Sequence, residues 1–401
     1  MILYPEGFMR KAVINGNIIL PGEILQDKTL LIYEDKIEAI VPSFYNVEGC
    51  QIIDAKGRYV SPGFIDMHVH GGGGYSFMDG DVESFLKVAE THAKHGTTAM
   101  LPTTMACSLE ELKQTLSVYD AADAANHRGS QFLGFNLEGP YFSLEQCGAQ
   151  NPEYITPPKP EEYKELADMC PHIVMWCSAP ELEGSLEFAK FLTQRGIIPS
   201  IAHTNAHYDQ VKAGVAAGYR HVTHLYSGMT GVFRINAFRH AGVVESAFLI
   251  DDLTVEIIAD GCHLPEALLK LIYKGKGSDK IALVTDATNG AGTDAKETIL
   301  GSRKNGMKVV VEDGVAKTMD RQSFAGSVAT TDRLVRTMIQ LAEVPVEEAV
   351  KMATLTPANI LGVEKNKGSL EPGKDADILL FDENVNVSLT MLKGKVLFGE
   401  V

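Results

Sequence analysis

His68 and His70 stand one residue apart at the end of the apolar run PGFIDMHVH, and Gly71, Gly72, Gly73 and Gly74 follow at once. In a strand, residues i and i+2 point to the same side, so Asp66, His68 and His70 share a face. Two imidazoles converging on one point suit a divalent transition metal. The glycines let the backbone turn sharply beside a ligand without side-chain crowding. An isolated H-x-H pair at a strand exit is only moderately specific, and the other strand ends decide its meaning. Glu138 closes FLGFNLEGP, His203 closes IIPSIAHT, His224 closes HVTHLYS and Asp286 closes KIALVTDAT. Each is a metal-type ligand directly after an apolar run. A buried unpaired carboxylate is costly, so Glu138 and Asp286 require cationic company. One metal centre accounts for all of them, where a purely structural role would need several unrelated buried salt bridges.

His263, ending LTVEIIADGCH, is placed in the same pocket. His92, His95 and His127 lie on or just after helical stretches, and His172, His207 and His221 lack such convergence. These six are read as surface or packing residues. The glycine run is no phosphate loop, because it lacks the Lys-Ser/Thr ending and the helix that would follow.

A metal held by imidazoles and a carboxylate lowers the pKa of bound water from 15.7 toward about 7. The resulting nucleophile can attack an amide or ester carbonyl. Asp286 can take the water proton and deliver it to the leaving amine, while the metal polarises the carbonyl. The residues therefore point to metal-assisted hydrolysis of a C–N bond. Imidazole and carboxylate ligands fit Zn2+, the first expectation, and also Fe2+, Mn2+ or Co2+, with one or two ions per subunit.

The elements that position these groups follow a clear rhythm. From residue 59 onward, eight short apolar runs alternate with amphipathic stretches such as VESFLKVAETHAKHG and EGSLEFAKFLTQRG. That alternation predicts an α/β fold, a (β/α)8 TIM barrel, with a doubly wound open sheet as the rival. Polar residues ending nearly every run favour the barrel, whose carboxyl strand ends converge on one mouth. Residues 1–58 and 367–401 read instead as short strands and turns, which predicts a small β-sandwich domain built from both termini around a barrel at 59–366. The stretch 287–326 is a long excursion after the eighth run, with one hairpin-like part (MKVVVEDGVAK), of the kind that forms lids or substrate loops.

Bulk properties narrow the partners. The chain has 401 residues, 45% hydrophobic and 22% charged, with a formal net charge of −16. Such a balance argues against nucleic acid, whose phosphates need basic patches, but leaves room for a small phosphorylated ligand. No apolar run is long enough for a membrane span and no signal peptide is visible. The six cysteines are scattered without a C-x-x-C pair, a pattern of reduced thiols in a cytoplasmic protein.

The ordered motifs PGFIDMHVHGGGG, NLEGPYFS, AHTNA, THLY, IADGCH, LVTDAT and FAGS, with the closing ATLTPANILG and KGSLEPGKDADILLFD, resemble the amidohydrolase superfamily. Within it they resemble the N-acetylglucosamine-6-phosphate deacetylase branch, in which Glu138 of "EGP" stands where many relatives use a carboxylated lysine. The resemblance implies Glu138, His203 and His224 as ligands of a primary metal, and a second metal at His68 and His70 bridged by Glu138. It implies Asp286 as catalytic acid/base, and His263 with the backbone at Ala325 and Gly326 facing the sugar. It also implies a phosphorylated N-acetyl amino sugar as substrate and a homodimer, since dimers of that branch share the phosphate site.

The departures from the branch lie on the binding side. Gly148-Ala149-Gln150 replaces "GAH", and Ser227-Gly228 replaces Asn-Ala after THLY. The phosphate-gripping arginine corresponds to Arg239 when anchored on Gly242, and to Arg234 when counted from His224. The pattern leaves open an amidohydrolase acting on another, non-phosphorylated N-acyl amine. A non-catalytic barrel scaffold fits worse, because such descendants lose metal ligands and this chain keeps them.

Overall fold

The computed structural model describes residues 10–400. Eight parallel strands succeed one another among them: β1 (Phe64–Val69), β2 (Thr97–Pro102), β3 (Phe135–Glu138), β4 (Ile173–Ser178), β5 (Ile198–Ile201), β6 (His221–Val222), β7 (Thr254–Ile257) and β8 (Ile281–Leu283). β1 pairs with β2, and β3 through β8 pair in sequence order. Single bridges complete the ring, Thr103 to Asn136 between β2 and β3, and Val69 to Ala287 between β8 and β1. The sheet thus closes on itself, which excludes the open doubly wound rival.

Closure explains the sequence rhythm. Strands covered on both faces read as continuous apolar runs, and every residue of β1 and β2 is buried. The intervening helices begin at side-chain caps where the sequence offers them. Asp81 accepts from the Ser84 amide at 2.8 Å ahead of Val82–Ala93. Ser108 and Glu111 form a reciprocal capping box ahead of Leu109–Ser117.

Two further sheets come from the chain ends. One has four strands in the order Lys36–Pro42, Lys28–Tyr33, Arg10–Ile14, Gln51–Asp54. The other has six, running from Lys395–Phe398 through Val387–Leu392, Ile378–Phe381, Tyr59–Pro62 and Asn17–Leu20 to Glu23–Leu25. Val13, Leu30 and Ile32 from the first meet Ile18, Val60 and Ile378 from the second in one buried cluster. Tyr59–Pro62, grouped with the barrel in the sequence, pairs here with Ile378–Phe381 and Asn17–Leu20. Its residues run into β1 through Gly63 with no charged break, so hydropathy does not separate them.

The excursion after β8 forms a three-stranded antiparallel sheet, Glu297–Leu300, Met307–Glu312 and Val315–Thr318, one strand more than the expected hairpin. Arg303 ties it to the barrel. Its side chain donates to Asp79 Oδ2 at 2.8 Å and lies 4.3 Å from the centre of the Tyr75 ring. Among the described residues no helix is long and apolar enough to cross a membrane.

Candidate metal centre

The expected ligands meet at the carboxyl ends of the strands. His68 is the penultimate residue of β1 and His70 follows it, Glu138 ends β3, and His203, His224 and Asp286 come just after β5, β6 and β8. His203, His224 and Asp286 have left-handed backbones, with φ of 45°, 27° and 46°. Such angles strain non-glycine residues and persist where surrounding structure over-determines them. Here they turn each side chain off its strand and over the mouth.

Glu138 is the hub. Its Oε1 lies 3.1 Å from His203 Nε2 and 3.0 Å from His224 Nε2. His68 Nε2 is 3.6 Å from the same oxygen, and His70 Nε2 is 3.4 Å from Oε2. Asp286 Oδ1 completes the cluster, 3.0 Å from His70 Nε2 and 3.6 Å from His68 Nε2. Two ligand groups result, His68–His70–Glu138 and Glu138–His203–His224, each with its donor atoms within 4.8 Å of one another.

The outer partners of the rings show what the centre is built to hold. His68 Nδ1 faces Glu256 Oε2 at 3.1 Å, His70 Nδ1 faces the Thr103 carbonyl at 3.3 Å, and His203 Nδ1 faces the Gln146 carbonyl at 2.7 Å. Carboxylates and carbonyls only accept, so each Nδ1 is the donor. A neutral ring with its proton there turns the Nε2 lone pair inward. His68 and His70 then aim lone pairs at each other across 3.2 Å, beside two carboxylates. This surplus of electron pairs requires added positive charge. Without a metal that charge is a proton: although burial opposes its cation, the charges of Glu138, Glu256 and Asp286 push His68 up to about 10, and a divalent cation at Nε2 would take the proton's place. Burial likewise opposes ionisation of Glu138, yet His68, His203 and His224 hold its carboxyl well below the ordinary range. Imidazole nitrogens outwardly tied to oxygen acceptors around a shared carboxylate fit a divalent metal.

A cavity of about 340 Å3 opens above the centre. Of the expected substrate residues, Ala149, Gln150, Ser227, Gly228, His263 and Gly326 line it. Gly228 and Gly326 are glycines of necessity. Their φ values are 57° and 64°, and a Cβ would meet His203 Nδ1 at 2.8 Å and Thr288 Cγ2 at 2.6 Å respectively. His263 is fixed by Asp260, whose Oδ2 lies 2.8 Å from its Nδ1. Gln150 is committed to the metal centre, accepting from the Ala106 amide at 2.9 Å and donating to Glu138 Oε2 at 2.5 Å.

One expectation is corrected. Ala325 is fully buried, packed with Leu300, Val309 and Ala316, and does not line the cavity; its neighbours Phe324 and Gly326 carry that motif to the site. Arg234 and Arg239 do not line the cavity of their own chain. They are cross-strand neighbours on the exposed hairpin Phe233–Ile235/Phe238–His240, placed there because the chain between His224 and Gly242 is long enough to fold back on itself.

The sequence reading missed Met105, Tyr226, Leu300, Ser323 and Phe324, which also line the cavity. It missed Glu256 as well, although a carboxylate inside the apolar run LTVEII was the available signal. His221, read as a packing residue, is buried with its Nε2 3.2 Å from Glu256 Oε1. His92 is buried too, its Nε2 2.9 Å from the Gly71 carbonyl, and it braces the glycine turn.

A profile described as the Amidohydrolase family matches residues 59–397. The chain belongs to the amidohydrolase family. Among relatives, it is 32% identical over 391 residues to an N-acetylglucosamine-6-phosphate deacetylase of Haemophilus influenzae, covering 96% of this chain and 99% of that one. It is also 32% identical over 374 residues to an N-acetylgalactosamine-6-phosphate deacetylase of Escherichia coli O157:H7, covering 93% and 95%. The crystal structure of N-acetylglucosamine-6-phosphate deacetylase from Pasteurella multocida superposes with a TM-score of 0.90 at 32% identity, covering 97% and 99%. The amidohydrolase barrel and its terminal sheets are thus shared over nearly the whole chain.

Proposed function

We propose that this amidohydrolase removes the acetyl group from N-acetylglucosamine 6-phosphate, or a close N-acetylhexosamine phosphate, giving acetate and the amino sugar phosphate. The observation that carries the reading is the Glu138-centred imidazole set with Asp286 at its edge, in a chain whose full-length relatives are hexosamine-phosphate deacetylases.

His203, His224 and Glu138 would hold a primary divalent cation, zinc by preference, and His68 and His70 a second one sharing Glu138. When bound, such a cation supplies Lewis-acid activation of water and of the amide carbonyl. Asp286 is the group placed to carry the proton. Its carboxyl is held below the ordinary range despite burial, because the rings of His70 and His68 stand against it. An ionised Asp286 Oδ1 takes a proton from the attacking water and returns it to the leaving nitrogen. His263, oriented by Asp260, and the Ser227–Gly228 backbone give the sugar hydroxyls a polar wall.

The arginine hairpin supports a homodimer. Val232, Ile235 and Phe238 are exposed beside Arg234 and Arg239, so the hairpin offers an apolar surface to a second copy and two guanidiniums to a phosphate in that copy's pocket. The division into a terminal β-sandwich and a barrel, and a cytoplasmic setting, belong to the same proposal. The latter is supported by six unpaired thiols.

The test is acetate release by metal-replete protein from N-acetylglucosamine 6-phosphate, its galacto epimer and unphosphorylated N-acetylglucosamine. Efficient release from a phosphosugar alone is expected. Release from none of the three, in protein shown to hold metal, would sink the reading.

A further inference from the structure

Beside the site cavity lies a second one of about 530 Å3, and Met105, Gly148, Ala149, Gln150 and Leu300 form a wall common to both. Beyond that wall the second cavity is lined by Met78, Cys107, Tyr154 and Met307. Its polar residues are turned to local partners. Glu111 accepts from Ser108 and from Asn305, and Asn151 accepts from the Glu153 amide at 3.1 Å. Burial pushes the Cys107 thiol up to about 12, so it is a packing group and no nucleophile. The larger part of the surface a ligand would meet is thioether, aromatic and aliphatic, and methionines adapt readily to varied apolar shapes.

The position of this chamber selects its occupant. Tyr226, Ser227 and Gly228 follow β6, and His263 follows β7, so the polar wall that suits the sugar stands on one side of Glu138. Met105 follows β2 and Ala149 follows β3, on the opposite side. A scissile amide carbonyl carries the amine on one side and the acyl carbon on the other. With the sugar toward β6 and β7, the acyl carbon points toward Met105, Leu300 and the chamber behind them.

We propose that the methionine-lined chamber is an acyl-chain subsite, through which the enzyme accepts straight-chain N-acyl groups longer than acetyl on the hexosamine 6-phosphate. This rests on the deacetylase reading above. The reaction is unchanged in its balance: water adds its oxygen to the carbonyl carbon, the C–N bond breaks, the proton passes to the amine, and a fatty carboxylate leaves in place of acetate.

The experiment compares kcat/KM for N-acetyl-, N-butanoyl- and N-hexanoylglucosamine 6-phosphate. The expected result is that the longer chains stay within about tenfold of acetyl, since apolar surface added to a fitting pocket is not penalised. Met307→Trp and Cys107→Phe, which fill the chamber from two different sides, should each lower the hexanoyl-to-acetyl ratio by about tenfold or more. Hydrolysis of the acetyl substrate with a loss of more than about a hundredfold on butanoyl would overturn the subsite alone. So would a hexanoyl-to-acetyl ratio unmoved in whichever of the two variants folds. No hydrolysis of any of the three would overturn the deacetylase reading and the subsite with it.

Discussion

Glu256 Oε2 sits 3.1 Å from His68 Nδ1, on the side of the imidazole turned away from the metal centre. Both residues are fully buried. Although burial favours its neutral form, contacts with His221 and His68 hold Glu256 far below the ordinary carboxylate range. The carboxylate fixes the His68 proton on Nδ1 and so keeps Nε2 available as a ligand. Outer partners of this kind typically change metal affinity by about 10–100-fold when removed. Glu256→Gln should therefore weaken metal binding by that factor, read by competition with a chelator. Unchanged affinity in a folded variant would show that the ring needs no such orientation.

Asp286 makes a different demand. Proton transfer by a positioned carboxyl contributes about 10²–10⁴-fold to rate. Asp286→Asn keeps the shape and removes the base, so kcat should fall within that range while KM moves little. Metal content, measured by elemental analysis, should persist, because Glu138 and the four histidines still converge. A variant that loses its metal instead would mark Asp286 as a ligand first and a proton carrier second.

Much of this architecture is legible in the sequence for a definite reason. Strands covered on both sides appear as apolar runs, so a ligand at each carboxyl end stands out as the polar residue that stops the run, as Glu138 and His224 do. Glu256 escaped because it lies within a run, where its partners His68 and His221 come from strands distant in sequence. Ala325 and Gly326 are adjacent in the FAGS motif, but one turns into the insertion's core and the other into the pocket, a choice set by the φ of 64° at Gly326. The arginines were assignable only by counting residues through a loop, and counting carries no direction in space.

Arg234 and Arg239 oppose each other across their hairpin, so a phosphate held between them would engage both. Charged hydrogen bonds contribute about 1.5–3 kcal/mol each. Arg239→Ala and Arg234→Ala should each lower kcat/KM for the phosphosugar by about ten- to a hundredfold. The slow residual activity on the unphosphorylated sugar should be unaffected by comparison. If the phosphate is bound across a dimer, dilution below the dimer's dissociation constant should reproduce the loss in the unmodified protein, followed by sedimentation alongside rate. Equal losses on both sugars would assign the hairpin to folding.

His92 offers a pH test of the glycine turn that follows His70. Its ring is fully buried, with Nε2 2.9 Å from the Gly71 carbonyl, and a Cβ on Gly72 would lie only 2.9 Å from that nitrogen. Burial lowers its pKa from 6.5 to about 4. The folded protein therefore resists a proton that the unfolded chain accepts below 6.5. Stability from this group is complete above 6.5 and is lost as pH falls toward 4, by about 3 kcal/mol at the limit. His92→Gln can still donate to the Gly71 carbonyl but does not titrate. Urea unfolding at pH 7 and at pH 4.5 should show the variant losing less stability on acidification than the unmodified protein, by about 2 kcal/mol. Parallel losses in the two proteins would mean that His92 opens to solvent before it is protonated, and that the turn beside the metal centre is looser than its packing indicates.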